Sequence, residues 1–566
     1  MIPNLHKIKI VVTFICTLVF VNSLNAQDIE SVIKAKPLTW TGSVGVNMTT
    51  YSVSGIDNRM NPLHYGVFGN FNLSIMEEFN IPVSFNYNQF GLDIEKPFYQ
   101  LGISPKYKNL QVHLGHRNMF FNSYSLAGHT FFGAGIEFTP GKFRFAAMKG
   151  KLRDPLLLDV TQTQSFTNPQ FGRSGWGVKL GFGSFQNHFD IMIFKAQDDV
   201  STIENWQDVA YQNSISGQTG RFAPAENLIL GITAKKSLFG KVSWGLEAGA
   251  SLYTDDITRE NVVDETPLFN PKTTSILKWA AKTNLNIPLG AVHLNAAYER
   301  IAPDYFSMGM YNFINDMENI TLSPSISLFT GKVFLAGMAG IQRNNLEGTR
   351  SETTKRLINS INATVAPKPE FGLNVSYTNF SFDQQPQAIL LSDTLLIKQV
   401  NTSLSIMSYI NLTKDTLAQH SINGGFIMQN VEDLNPITRE FGNLSTQMIT
   451  ANYSFTNRKG YQMGGGLNYT IIENSLFSNA LKGVNVVLGR NFPQSGINIQ
   501  LNSQINSTSV DGVSDGTLIS AGANGSVTLL NKHNFRVNFN WLNSSSLKFE
   551  SYSEFIFNVG YSFQIK

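Results

Sequence analysis

Apolar and polar residues alternate with a period of two from residue 38 to the C-terminus. This is the spacing of a strand whose two faces meet different surroundings. The pattern is cleanest near the end of the chain, where Ile497, Ile499, Leu501 and Ile505 alternate with Asn498, Gln500, Asn502, Gln504 and Asn506. Phe535, Val537, Phe539 and Trp541 alternate with Arg536, Asn538 and Asn540, and Trp244, Leu246, Ala248 and Leu252 with Ser243, Glu247 and Ser251. No sustained helical period intervenes, so the chain predicts an all-β protein.

A soluble sandwich also alternates, because one face packs on a second sheet while the other meets water. Strand length and connection pattern separate the two folds. The strands here run about 10 to 15 residues, as tilted membrane-crossing strands do, against the five or six usual in soluble sheets. Short turns rich in Gly, Pro and Asn fall at Met76–Phe79, Thr139–Lys142, Thr330–Lys332, Pro367–Pro369, Asn457–Gly460, Pro493–Gly496 and Asn531–Asn534. Long polar connections fall between them, at about residues 151–173, 198–226, 254–274, 301–318, 342–355 and 380–397. This predicts a single large closed antiparallel transmembrane β-barrel over residues 38–566, with about 26 strands and both termini on the periplasmic side. Residues 91–127 carry the weakest pattern, and one hairpin fewer there makes the count about 24.

The first 26 residues have the layout of a secretory signal peptide. Lys7 and Lys9 precede the apolar run Val11–Val21, and Leu24-Asn25-Ala26 stands before Gln27. That run is about a dozen residues, short of the roughly 20 a spanning helix needs, so cleavage is expected and residues 27–37 become a short periplasmic segment. The single cysteine, Cys16, lies in this leader after Ile15, which is not the small residue of a lipoprotein signal. The mature chain then has no thiol for a disulfide or a thiolate metal site.

Composition agrees with a membrane barrel: 12% aromatic and 15% charged residues, with 46 glycines, leave less charge than a soluble helical protein carries. The net charge of +3 comes from scattered Lys and Arg, so no nucleic-acid partner is expected. No motif calls for a cofactor. The expected partners are outer-membrane lipid and the outer-membrane assembly machinery.

The last strand carries the resemblance. Phe555, Phe557, Val559, Tyr561, Phe563 and Ile565 form one apolar face, and the segment Asn558-Val559-Gly560-Tyr561-Ser562-Phe563-Gln564-Ile565 resembles the terminal signal read by the assembly machinery. Asn558, Gly560, Phe563 and Ile565 fill its specified positions, with Ile565 and Lys566 where a final aromatic is usual. In overall layout, in the Gln27 start and in the texture of the loop from Arg300 to Asn319, the chain resembles large outer-membrane β-barrel proteins of Bacteroidota. The resemblance implies an outer-membrane location and no reaction.

A barrel this wide encloses water, since about 16 to 18 strands already do. Only about ten residues separate Gln27 from Leu38, too few for the globular plug of a TonB-dependent transporter or the lipid-receiving domain of a lipopolysaccharide exporter. A loop or a partner is therefore expected to fill the lumen. The segment Ala302–Asn319 holds Tyr305, Phe306, Tyr311 and Phe313, more aromatic surface than a free loop exposes. Folding into the lumen as a constriction is the favoured reading. Docking of a secreted or periplasmic protein is the alternative, and aromatic residues at the membrane boundary a third.

Two further clusters carry groups capable of chemistry. An outer-membrane phospholipase would need a Ser/His pair on the lipid-facing side of a strand, and His113, His116 and His129 lie near Ser123 and Ser125, but His113 and His116 are three apart and point to opposite faces of a strand. Hydrogen-bonded structural histidines are the expected outcome, so no catalysis is assigned. The pairs Asp198-Asp199 and Asp255-Asp256, with Glu204, Asp208, Glu260, Asp264 and Glu265 nearby, offer oxygen ligands for calcium without the spacing of a dedicated site. Solvated loop charge is the expectation there. The leading function is a loop- or partner-gated conduit, and its rival a non-conducting anchor for a secreted or surface protein.

Overall fold

The computed structural model describes residues 37–88, 98–156, 169–208, 222–263, 267–311, 314–350, 352–386, 397–413, 417–435, 438–548 and 550–565. The leader, most of the segment expected to follow it, and Phe313 lie outside the described residues.

The chain folds as a closed antiparallel barrel of 26 strands. Neighbours in sequence are neighbours in space, and the first strand, Leu38–Ser54, closes the ring by pairing with the last, Tyr552–Ile565, from Gly42↔Ile565 to Ser54↔Ser553. Closure removes both edges, so every ladder has a partner without help from water.

The region of weak pattern holds both of its hairpins. Phe98–Ile103 and Lys106–Tyr107 both pair with Phe79–Asn88 and are one strand interrupted at Ser104-Pro105. Proline has no N–H to give to the ladder there. Leu110–Phe120 and Ala127–Phe138 complete the wall.

Connections at one end of the barrel are short, and several turn through residues with positive φ, such as Phe239-Gly240 (51° and 70°) and Leu530-Asn531 (53° and 55°). The other end carries the long loops but also the tight hairpin Asp511-Gly512, with φ of 54° and 77°, so the alternation of short and long connections is not strict. The expected loop start at 380 is corrected, because the strand Phe371–Pro386 continues its register to Glu352↔Pro386. A proline ending a strand removes no interior ladder bond.

Leu501 and Phe539 stand on the outer face, 52% and 36% exposed, beside Ile499, Ile505 and Val537. Toward the short-turn end, the guanidinium of Arg490 lies over the rings of Tyr461 and Phe492, 4.5 and 4.4 Å from their centroids. Cations on aromatic rings suit a boundary between apolar and wet surroundings. Strands about 4.8 Å apart and tilted by about 40° close 26 members into a ring roughly 50 Å across. Fifteen residues of loop cannot fill such a ring.

Among the described residues, the main clusters of buried apolar side chains lie on the inner face of one arc of the wall, in strands between residues 110 and 301, together with the loops folded against it. They include Met148, Met192, Phe194 and Ile229 from the wall and Phe121, Leu126 and Met308 from the loops.

Candidate functional site

The occluded arc is built around a row of inward charges. Glu247, Lys282 and Glu299 face one another across adjacent strands. The connection between Leu110–Phe120 and Ala127–Phe138 turns in onto this row instead of leaving the barrel. The backbone N–H of Ser123 donates to Glu247 Oε2 at 2.9 Å, and the Tyr124 hydroxyl donates to Glu299 Oε1 at 2.7 Å. Asn122 sets the turn: its Oδ1 accepts from Tyr124 N at 3.1 Å and Ser125 Oγ at 2.6 Å, while its Nδ2 donates to the wall at Ala248 O, 3.0 Å away. Lys179 reaches in from the wall to donate to Phe120 O at 2.9 Å.

The loop at 302–316 closes over this first loop. Tyr305, which is 0% exposed, donates its hydroxyl to Tyr124 O at 2.6 Å, and Ser307 Oγ donates to Ser125 O at 2.5 Å. Asn227 on the wall accepts from Met308 N at 3.1 Å and donates to Ser251 Oγ at 2.8 Å, which in turn donates to Phe306 O at 2.6 Å. A Cβ at Gly249 would come within 2.7 Å of the Tyr305 hydroxyl, so the wall is thinned where the two tyrosines pass. Burial pushes the Tyr305 hydroxyl well above its ordinary pKa, which keeps it a donor.

Of the four aromatic residues expected to form a constriction, Tyr305 and Phe306 belong to this lock, with the Phe306 ring 4.9 Å from that of Tyr253. Tyr311 is 64% exposed; its ring stacks on His129 at 4.1 Å and its hydroxyl accepts from Thr130 N at 3.0 Å. Phe313 is outside the described residues. The residues missed from the sequence are Asn122, Asn227, Glu247, Ser251 and Glu299. A polar run such as Asn122-Ser123-Tyr124-Ser125 signals a turn, but the wall positions that receive it are ordinary lumen-facing polar residues in a strand pattern.

Replacing Asn227 by Leu strands the buried Met308 N and removes the donor to Ser251 Oγ, which keeps its own bond to Phe306 O. Each unsatisfied buried group costs about 1 to 3 kcal/mol. Faster proteolysis within 302–316 with unchanged heat-modifiable migration of the barrel is the expected result, and unchanged protection of the loop would contradict the lock.

Across the lumen the wall is different. Inward residues there are mostly amides and hydroxyls, as in the pairs Asn423↔Asn452, Asn485↔Gln504 and Asn524↔Asn538. Asn468 donates to Asn506 at 3.1 Å and Asn524 to Asn502 at 3.3 Å, so the amides bond partly to one another along the wall.

The chain is a large closed barrel of the outer-membrane type. No protein-family model matches it, and no curated protein does. Among solved structures, the translocation pore of the P pilus usher PapC is similar at 11% identity over 94% of this chain and 100% of that one, with a TM-score of 0.38. The siderophore receptor PirA from Pseudomonas aeruginosa is similar at 10% identity over 93% and 80%, with a TM-score of 0.37. An E. coli P pilus tip assembly intermediate, PapC-PapD-PapK-PapG, is similar at 10% identity over 92% and 60%, with a TM-score of 0.43.

None of the three histidines near Ser123 and Ser125 in sequence has a hydrogen bond to either serine among the described contacts. His113 Nδ1 is 2.9 Å from Ser104 Oγ, His129 Nδ1 is 2.8 Å from Thr130 O, and His116 packs its ring on Phe132. Ser125 is fully buried and bonds to Asn122. The expectation of solvated acidic loops is corrected at two positions. Asp198, 5% exposed, is held by Arg173 at 2.7 Å and Arg153 at 3.2 Å; Asp256, 4% exposed, caps Thr258 N at 3.0 Å. A carboxylate that close to two guanidiniums is neutralised inside the protein and serves to root the long loop. Among the described residues no group of three or more metal-ligating side chains is found.

The terminal strand lies in the closing seam. Phe563 faces Val44 and Ile565 faces Gly42, while Asn558 Oδ1 accepts from Thr49 Oγ1 at 2.5 Å. A Cβ at Gly560 would meet nothing closer than Val46 O at 3.9 Å. The finished barrel therefore has room for a side chain there.

Proposed function

We propose that this protein is an outer-membrane conduit whose lumen is narrowed from one side by its own two interlocked loops. The observation that supports this is the asymmetry of the lumen. One arc is packed with loops held by buried hydrogen bonds, and the facing arc is a wall of amides and hydroxyls with room in front of it. Such a wall is wettable and nearly uncharged, which suits passage of polar, neutral solutes with little ion selectivity. Tyr305 and Phe306 are the constriction, Tyr311 its outer rim. No reacting group is assigned, and Asn558, Gly560, Phe563 and Ile565 act during assembly. The tolerance of Gly560 for a side chain in the folded barrel supports that reading of the terminal motif, because its requirement then arises before closure.

The anchor reading draws on a separate observation. Val262, Val263, Leu268, Tyr311 and Ile314 are 46% to 74% exposed at the long-loop end, an apolar surface that a partner protein would cover. Solute flux separates the two. Proteoliposomes carrying the barrel should swell in isosmotic neutral oligosaccharide at rates well above empty vesicles. Vesicles as tight as the empty ones would favour the anchor.

A further inference from the structure

A second polar site lies inside the barrel, next to the lock but outside it. A cavity of about 510 Å³ is lined by Asn47, Asn70, Asn86 and Gln100 from the first strands of the wall, with Phe68 and Arg117. Asn70 and Ser84, and Asn86 and Gln100, are register partners, so the amides form a continuous field across three strands.

Arg117 is the unusual member. Its Nη1 donates to Ser84 Oγ at 2.6 Å and Nη2 approaches Pro82 O at 3.5 Å. Its Nε is buried without a hydrogen-bond partner. Among the described residues no carboxylate pairs with it, whereas Arg144 has Asp190 at 2.9 Å, and Arg153 and Arg173 share Asp198. A guanidinium carries five N–H donors in a planar fork suited to an oxyanion. Here protein acceptors take at most two. Space has been cleared for it: a Cβ at Gly102 would fall 2.7 Å from Nε and 2.9 Å from Cζ.

Phe68 is the other unusual member, an aromatic ring on the wet face of a strand, 38% exposed. It lies across Gly45, where a Cβ would come within 2.5 Å of the ring edge. The glycine thus leaves a flat apolar platform in a field of amides. Carboxamides both donate and accept, which matches a polyhydroxylated ligand, and the C–H face of a sugar ring covers an aromatic ring in water. The volume is in the range of small-ligand pockets, about 300 to 1,000 Å³.

The geometry points to a binding site for an acidic saccharide: Phe68 takes a sugar ring, the amides take its hydroxyls, and Arg117 takes its carboxylate or sulfate. This goes beyond the conduit reading, because binding at equilibrium does not depend on whether solutes cross.

The test is calorimetric titration of the detergent-solubilised full-length barrel with a short oligogalacturonate, and with maltotriose as the neutral saccharide. The acidic ligand should bind at least about tenfold more tightly than the neutral one, the effect of one charge-assisted hydrogen bond. Arg117→Gln should remove that preference, Arg117→Lys should retain part of it, and Phe68→Ala should weaken both ligands. Heat-modifiable migration reports folding of each variant, and the preference of the unmodified protein stands as a test if Arg117→Gln fails to fold. Equal binding of the two saccharides, binding of neither, or an unchanged preference in folded Arg117→Gln would overturn the proposal. Liposome flux is read separately, so a barrel that binds but does not conduct retains this site and loses the conduit.

Discussion

Arginine at Leu501 or Phe539 should block assembly of the barrel into lipid, while arginine at Gln500 or Asn540 should leave it folded. Leu501 pairs with Leu488 and Ala523, and Phe539 with Ala523 and Phe557, on the outer face of the sheet. Gln500 and Asn540 are their immediate neighbours and point the other way. Charge on the lipid face near mid-bilayer costs about 2 to 4 kcal/mol, whereas the same side chain in the lumen keeps its water. The readout is the heat-modifiable fraction after dilution from urea into phospholipid vesicles. A loss of that fraction confined to the Leu501 and Phe539 variants is the expected result. Equal yields for all four variants would mean that no face of this sheet meets lipid.

That contrast was readable from the sequence because a barrel strand between lipid and water writes both surroundings into alternate residues. The stretch Phe535–Trp541 shows it without interruption, and Ile497–Asn506 with a single serine, Ser503, on the apolar face. Strand number was readable for the same reason, even where Ser104-Pro105 breaks a strand, since the hairpins on either side keep their turns. The lumen was only half legible. The aromatic residues at 302–319 point to a loop that packs, and Tyr305 bonds to Tyr124 O while the Phe306 ring lies against Tyr253. What they pack against was hidden: the receiving loop, Phe121–Leu126, is six residues of a stretch with little periodicity, and its contacts with Glu247, Ala248 and Glu299 span more than a hundred positions of chain. Period-two reasoning assigns a wall residue to a face and says nothing about which loop that face receives. The acidic loops misled for a related reason, because the two arginines that neutralise Asp198 lie 25 and 45 residues away, on the adjacent strand and the one beyond it.

The lock gives the second large effect. Removing residues 305–313 deletes Tyr305, the Ser307 bond to Ser125 and the Met308 bond to Asn227, and strips the cover from Tyr124. The wall beneath is held by its own ladders, so assembly should be unchanged. The substitution Tyr305→Ala alone removes a fully buried aromatic side chain, a change that costs about 3 to 5 kcal/mol in a packed site. That energy is local to the loops, so its loss should loosen their interlock and leave the barrel closed. Cells carrying either variant should become sensitive to large antibiotics that the outer membrane normally excludes.

Single-channel recording in a planar bilayer tests the central claim most directly, comparing the unmodified protein with the variant lacking residues 305–313. The account predicts discrete conductance steps for the unmodified barrel and steps larger by roughly twofold or more for the deletion, with insertion frequency unchanged. Steps of the same size in both, or no steps in either, would contradict a conduit narrowed by its own loops.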